Sequence, residues 1–167
     1  MDILWAPWRI KYLKKASAKR NRGAATKCIF CKCIKSRRRN YIILKTKYSF
    51  AMLNIFPYNN GHLMVSPLRH IGELSQLNNT EVLDLFHTLN KAKKMLDKVL
   101  KPDGYNIGLN TSAEAGAGEV HHLHIHIVPR WKGDTNFMTT LYDTKIISQS
   151  LDELCKQLRE AQTYGTK

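Results

Sequence analysis

The chain has 167 residues, 43% of them hydrophobic and 24% charged, the profile of a single globular domain that buries its own core. No apolar run approaches the ~20 residues needed to cross a bilayer. The amino terminus lacks the apolar stretch and small-residue cleavage site of a signal peptide, so membrane-spanning and secreted classes are set aside and a cytoplasmic location is expected. The formal net charge of +14 favours polyanionic partners such as nucleotides, polyphosphates or nucleic acid. That charge is uneven: no Asp or Glu occurs between Asp2 and Glu73, a stretch that holds Lys11, Lys14, Lys15, Lys19, Arg20 and the run Arg37-Arg38-Arg39.

Residues 1–27 read as an irregular basic segment with an aromatic start, Trp5-Ala6-Pro7-Trp8-Arg9, and residues 28–167 as the domain. Cys28-Ile29-Phe30-Cys31 has metal-ligand spacing but supplies only two thiolates, and Cys33 is a spare thiol. Tyr41–Leu44 and Phe50–Ile55 are expected strands. Pro57-Tyr58-Asn59-Asn60-Gly61 is a turn cluster, and His62–Ser66 resumes as a strand, predicting a hairpin over 50–66. A long helix is expected from about Thr80 to Leu100. Asn78 and Glu81 stand at capping-box spacing, and Leu83, Phe86, Leu89, Ala92, Lys93, Leu96 and Leu100 predict its core-facing stripe. Pro102-Asp103-Gly104 ends that helix, and Tyr105–Asn110 follows as a strand. The Gly/Ala loop Thr111–Gly118 leads to a final strand, and a carboxy-terminal helix covers Leu151–Ala161 behind Ser150. The fold class is α+β, built on an antiparallel sheet.

The chemistry concentrates in His122-Leu123-His124-Ile125-His126-Ile127-Val128. In an extended strand the three histidines share one face and Leu123, Ile125 and Ile127 the other. The imidazoles are then expected in a row on the open side, with the apolar face in the core. Imidazole is a nucleophile, a proton carrier near neutral pH and a metal ligand. A ring nitrogen of His124 can attack an electrophilic phosphorus and split one transfer into two steps. The loop Ala115-Gly116-Ala117-Gly118 is small enough for its backbone N–H groups to approach a phosphate.

The segment HHLHIHIVPRW resembles the histidine triad (HIT) family. LNIFPYNNGHLMVSPLRH at Leu53–His70 is similar to that family's strand–turn–strand segment, which by this resemblance helps form the nucleoside pocket. LWAPWR at Leu4–Arg9 and PRWKGDTNF at Pro129–Phe137 resemble the branch containing diadenosine tetraphosphate phosphorylases and related hydrolases. The similarity covers roughly residues 4–12 and 28–137. It implies a HIT-like sheet with the long helix and the carboxy-terminal helix. It also implies a homodimer, with the long helix or a sheet edge near the two-fold axis.

For the site, the resemblance implies that His124 is the nucleophile and that His126 contacts phosphate oxygens and the leaving group. Asn110 with Gly116, Ala117 and Gly118 would hold the phosphates, and Trp131 belongs to the substrate-binding set. Asn54 would lie near the ribose, where many relatives carry Asp. Gly118 and Glu119 replace a Gln and a Ser that many relatives have, which removes a side-chain donor. Cys28, Cys31, His70 and His122 map onto a zinc set found in some members, a closed structural Cys₂His₂ site. His121 falls off the triad face and is expected to be structural. The activity implied is cleavage of a dinucleoside polyphosphate at the α-phosphorus through a nucleotidyl-histidine. The competing readings are a nucleoside phosphoramidase of the same superfamily and a basic nucleic-acid-binding protein. Against the last stand a complete triad and no nucleic-acid-binding motif.

Overall fold

The computed structural model describes residues 28–36, 41–135, 137–142 and 146–163. The aromatic motif Leu4–Arg9, the rest of the basic segment 1–27 and the run Arg37–Arg39 lie outside the described residues. Five strands form one antiparallel sheet in the order β1-β2-β3-β5-β4. They are β1 (Ile42–Lys45), β2 (Ser49–Leu53), β3 (Leu63–Pro67), β4 (Gly104–Leu109) and β5 (Ile125–Arg130). The described helices are α1 (Ile29–Lys35), α2 (Asn79–Leu100), α3 (Phe137–Tyr142) and α4 (Leu151–Thr163). This is the expected α+β architecture. Among the described residues no helix is long and apolar enough to cross a membrane.

The two-residue period of the strands divides the interior into two cores. Ala51, Leu53, Leu63, Val65, Ile125 and Ile127 point one way and pack under α2 and α4. Phe50, Met52 and Met64 point the other way and meet Phe30 of α1. The histidines belong to this second face, so the small core under α1 adjoins the chemistry.

Helix α2 starts as expected. Asn78 Oδ1 accepts from the Glu81 N–H (2.9 Å), and the Glu81 carboxylate accepts from the Asn78 N–H (3.0 Å), a reciprocal cap. Its buried stripe differs from the expected one. Leu85, Thr88, Leu89, Ala92, Met95 and Leu96 face the core, whereas Leu83 (62% exposed) and Phe86 (58% exposed) face outward. Both stripes satisfy helical spacing. The sheet selects the one centred on Leu85 and Leu96, each side chain contributing about 1.5–3 kcal/mol by burial.

The histidine strand also departs from expectation. β5 begins at Ile125, and His122–His124 approach it outside the ladder because their backbone is bound elsewhere. The Leu123 N–H donates to Ile71 O (2.6 Å), and Leu123 O accepts from Ser66 Oγ (2.7 Å). Nor does the row stand open: His122 is fully buried and His124 is 5% exposed. Phe30 covers both rings, at centroid distances of 5.1 and 5.0 Å. The short helices α1 and α3 have no counterpart among the expected elements.

Candidate active site

Strands β3 and β5 pair with Met64 opposite His126, so the side chains of His62, Met64 and Ser66 share the histidine face. The turn before β3 delivers His62. Asn54 Oδ1 accepts from the Phe56 N–H (2.9 Å), and the His62 N–H donates to Asn59 O (3.2 Å). Gly61 closes the turn at φ 75°, where any Cβ would also collide with Leu100. His62 Nε2 then lies 2.9 Å from His126 Nδ1.

Backbone partners fix the proton on three of the rings, and His62 fixes it on the fourth, His126. Burial, the first cause in every case, lowers the proton affinity of all four, His62 to about 3 and His126 to about 4. A neutral imidazole has one donor and one acceptor nitrogen. The Tyr58 N–H can only donate, so His62 Nδ1 (3.1 Å) accepts and its proton sits on Nε2. His62 Nε2–H donates to His126 Nδ1, which leaves His126 with its proton on Nε2. The His122 carbonyl can only accept, so His124 Nδ1–H (2.9 Å) donates to it and His124 Nε2 keeps its lone pair. The Pro67 carbonyl likewise takes His122 Nε2–H (2.9 Å) and frees His122 Nδ1. The result is a bare nucleophilic nitrogen on His124 beside a donor N–H on His126, with ring centroids 4.8 Å apart.

His122 Nδ1 faces three other ligand atoms. Cys28 Sγ lies 3.3 Å away, Cys31 Sγ 3.6 Å and His70 Nδ1 3.2 Å, and all four atoms fall within 4.8 Å of one another. These are the four expected ligands, brought from α1, the β3 exit and the triad. Two thiols and two imidazole nitrogens converging this closely can hold a metal ion. The second sphere fits as well, because a ligating histidine characteristically donates its other N–H to a carbonyl, as His122 does to Pro67. Burial pushes the Cys28 thiol up to about 12, so binding must displace that proton.

The remaining expected residues divide. Asn110 follows β4, level with the approach to β5, and its amide lies beside Gly116. The Gly116 and Ala117 N–H groups are spent on Ala113 O and Ser112 O, so among the described residues Gly118 keeps the unpartnered N–H of the three. Asn54 is buried and turned toward His62, its Nδ2 3.3 Å from His62 Nδ1. Trp131 lies beyond the end of β5, five residues and roughly 16 Å along an extended chain from His126. His121 is exposed rather than structural. His62 is the residue that sequence reading missed, and its usable signal was its place just after the Asn60-Gly61 turn.

The HIT domain family model matches residues 36–133. Over 154 residues the chain is 40% identical to an AP-4-A phosphorylase of Mycobacterium tuberculosis, covering 90% of this chain and 79% of that one. Over 103 residues it is 35% identical to an adenosine 5'-monophosphoramidase of Saccharomyces cerevisiae, 62% of each chain. The fold matches that of a zinc-bound histidine triad family protein from Mycobacterium smegmatis, with a TM-score of 0.69 at 24% identity, over 84% of this chain and 96% of that one.

Proposed function

The chain belongs to the HIT domain family, and we propose that it is an enzyme cleaving dinucleoside polyphosphates, of the diadenosine tetraphosphate type, at the α-phosphorus. The observation that carries this reading is the proton arrangement of the triad: a lone pair on His124 Nε2 beside an N–H on His126 Nε2. His124 Nε2 attacks the α-phosphorus and a P–N bond forms. The P–O bond to the leaving nucleoside polyphosphate breaks, and its electrons stay on the oxygen that His126 Nε2–H meets. Water or inorganic phosphate then displaces the histidine. Water gives the mononucleotide and loses a proton to solvent; phosphate gives the nucleoside diphosphate. The 40% identity to a phosphorylase supports this substrate class over a mononucleoside phosphoramidate.

Asn110 and the loop Gly116-Ala117-Gly118, through its Gly118 N–H, are assigned to the phosphates, Asn54 to the ribose side and Trp131 to the outer substrate contacts. Cys28, Cys31, His70 and His122 are assigned to zinc, which they would hold as a structural ion tying their segments together. The domain is taken as residues 28–167, because Cys31 in α1 and Cys28 at its N-cap are two of those residues, with 1–27 as a basic appendage that attracts anionic substrate. Four free cysteines suit a reducing cytoplasm. A homodimer is supported by β4 at the sheet edge with Ile107 exposed, and by Leu83 and Phe86 exposed on α2.

The test is rapid quenching of enzyme with diadenosine tetraphosphate, followed by peptide mapping. A nucleotidyl adduct on His124 is expected, and His124→Ala is expected to lose at least about a thousandfold in turnover while still binding nucleotide. Near-normal activity of that variant would remove the mechanism. Comparing products with and without phosphate separates phosphorolysis from hydrolysis.

A further inference from the structure

The turn that delivers His62 carries two large aromatic side chains into solvent. Tyr58 is 59% exposed and Phe56 is 78% exposed. The backbone beneath them is held from several sides. The Phe56 N–H donates to Asn54, the Tyr58 N–H to His62, and Asn59 Nδ2 to Pro129 O (3.0 Å) and Asp134 (2.7 Å). These bonds fix the backbone of the turn, from which both rings project outward. Tyr58 is also oriented: its ring lies against His62 (4.6 Å between centroids) and is stacked on His126 at 5.8 Å with 30° between planes. One face of the phenol therefore meets the active site, and much of the ring remains in water.

We infer that Tyr58, with Phe56 beside it, is the platform for the second nucleobase of a dinucleoside polyphosphate, the base that departs with the leaving group. The inference rests on the reading of His124 as nucleophile, since that reading makes the His126 side the leaving side. A polyphosphate passing His126 meets the outer surface of Tyr58 next. The opposite flank of His126 is open too, because Gly108 faces it from β4 and a Cβ there would touch nothing within 4 Å, so a polyphosphate can reach the ring from the β4 side and leave over Tyr58 on the β3 side. A flat heteroaromatic base is the group in such a substrate that gains from the ring face of an exposed phenol, whereas a phosphate gains only from its hydroxyl, which Tyr58→Phe removes. The same site without this platform treats dinucleoside and mononucleoside substrates alike, so Tyr58 sets the preference between them.

The experiment measures equilibrium binding of diadenosine tetraphosphate and of AMP to His124→Ala protein, with and without Tyr58→Leu or Tyr58→Phe. Stacking of one base corresponds to about tenfold in affinity. Tyr58→Leu is expected to reduce the dinucleotide-over-AMP preference about tenfold, and Tyr58→Phe, which keeps the ring, to retain it. In the catalytically intact background the same loss should appear in KM for diadenosine tetraphosphate relative to adenosine 5'-phosphoramidate. An unchanged preference in Tyr58→Leu overturns the platform. So does an equal fall in kcat for both substrates, which would make Tyr58 a support for His126 alone. So does an unchanged preference with altered sedimentation, which would make the patch an interface between copies of the chain. Absence of a His124 adduct would instead overturn the mechanism, and the binding comparison would still decide the platform.

Discussion

The two ends of the triad are built on opposite plans. At the His122 end the ring is fully buried, its Nε2–H is tied to the Pro67 carbonyl, and its free nitrogen turns inward to two thiols and a second imidazole. At the His126 end the ring is half-buried, its orienting partner is another imidazole, and its donor N–H is on the nitrogen that His62 does not bond. A backbone group fixes the tautomer at each end, directly at His122 through the Pro67 carbonyl and through His62 at His126, where the Tyr58 N–H sets the relay. One end directs the resulting lone pair into a closed ligand set that ties α1 to the sheet, and the other leaves the resulting proton on the nitrogen clear of His62. His124 sits between them, and its own proton is held by the His122 carbonyl rather than by the ligand set. Fold stability and bond cleavage should therefore separate along the row, with the metal end governing the first and the His62 end the second.

The largest expected effect breaks the metal end. Cys28→Ser removes one of the four clustered donor atoms, at the N-cap of a seven-residue helix that has no side-chain cap bond. A loss of about 4 kcal/mol is expected, which for a chain of this size lowers the melting midpoint by roughly 10 °C. Bound metal, measured on purified protein, should fall with it. Below the melt, kcat should change less than about fivefold, because the His124 Nδ1–H bond survives. Wild-type protein that purifies without metal, and a Cys28→Ser variant that melts normally, would show that the cluster does not hold the domain together.

A smaller effect, of opposite kind, is expected at the other end. His62→Leu removes the donor to His126 Nδ1 and leaves the Tyr58 N–H without its acceptor. His126 can then carry its proton on either nitrogen. A fall of roughly 30-fold in kcat, about 2 kcal/mol, is expected with little change in nucleotide affinity. His62→Gln, which can still donate to Nδ1, should recover part of it. Proton NMR of the ring N–H resonances offers a direct check, since the His126 signal should shift only in the Leu variant. A variant that loses metal and melting temperature but keeps kcat would erase the division between the two ends.

What the sequence revealed follows the same division. Alternation of His and apolar residues was legible because the strand period is imposed locally, and the capping box of α2 because it is a contact three residues long. The cluster of Cys28, Cys31, His70 and His122 was legible only by resemblance, since Cys28 and His122 meet across the fold. His62 was not legible: its pairing depends on the register of β3 against β5, and a lone histidine after a turn carries no mark of its partner. Leu83 and Phe86 misled because periodicity defines a set of faces, and the sheet decides which one is buried. Helix α1 has no apolar repeat to announce it; its place rests on Phe30 and on two cysteines whose partners lie far along the chain.

The smallest expected effect sharpens the comparison at the loop that carries His70. Its neighbour Arg69 reaches back to the start of α2, where Nε and Nη2 donate to Glu81 Oε1 (2.9 Å) and Oε2 (2.8 Å). The Arg69 guanidinium, then the Asn78 N–H, hold the Glu81 carboxyl well below the ordinary carboxylate range, at about 2 against 4.5. A depressed carboxyl stabilises the fold above its unfolded value and loses that contribution as pH falls toward its folded one. Stability from Glu81 is thus complete above about pH 5 and drains away between 4.5 and 2. Glu81→Gln keeps a side chain that can still complete the cap but removes the charge. Because Arg69 is 52% exposed, solvent screens the pair, and a fall of only roughly 2 °C in melting midpoint is expected at pH 7. That difference from wild type should shrink steadily below pH 4.5. Metal affinity should weaken slightly at neutral pH, since His70 loses a brace, while kcat stays put. A difference that persists unchanged at pH 3 would assign the effect to the cap rather than to the Arg69 pair, and would leave the metal end without the outer support inferred for it.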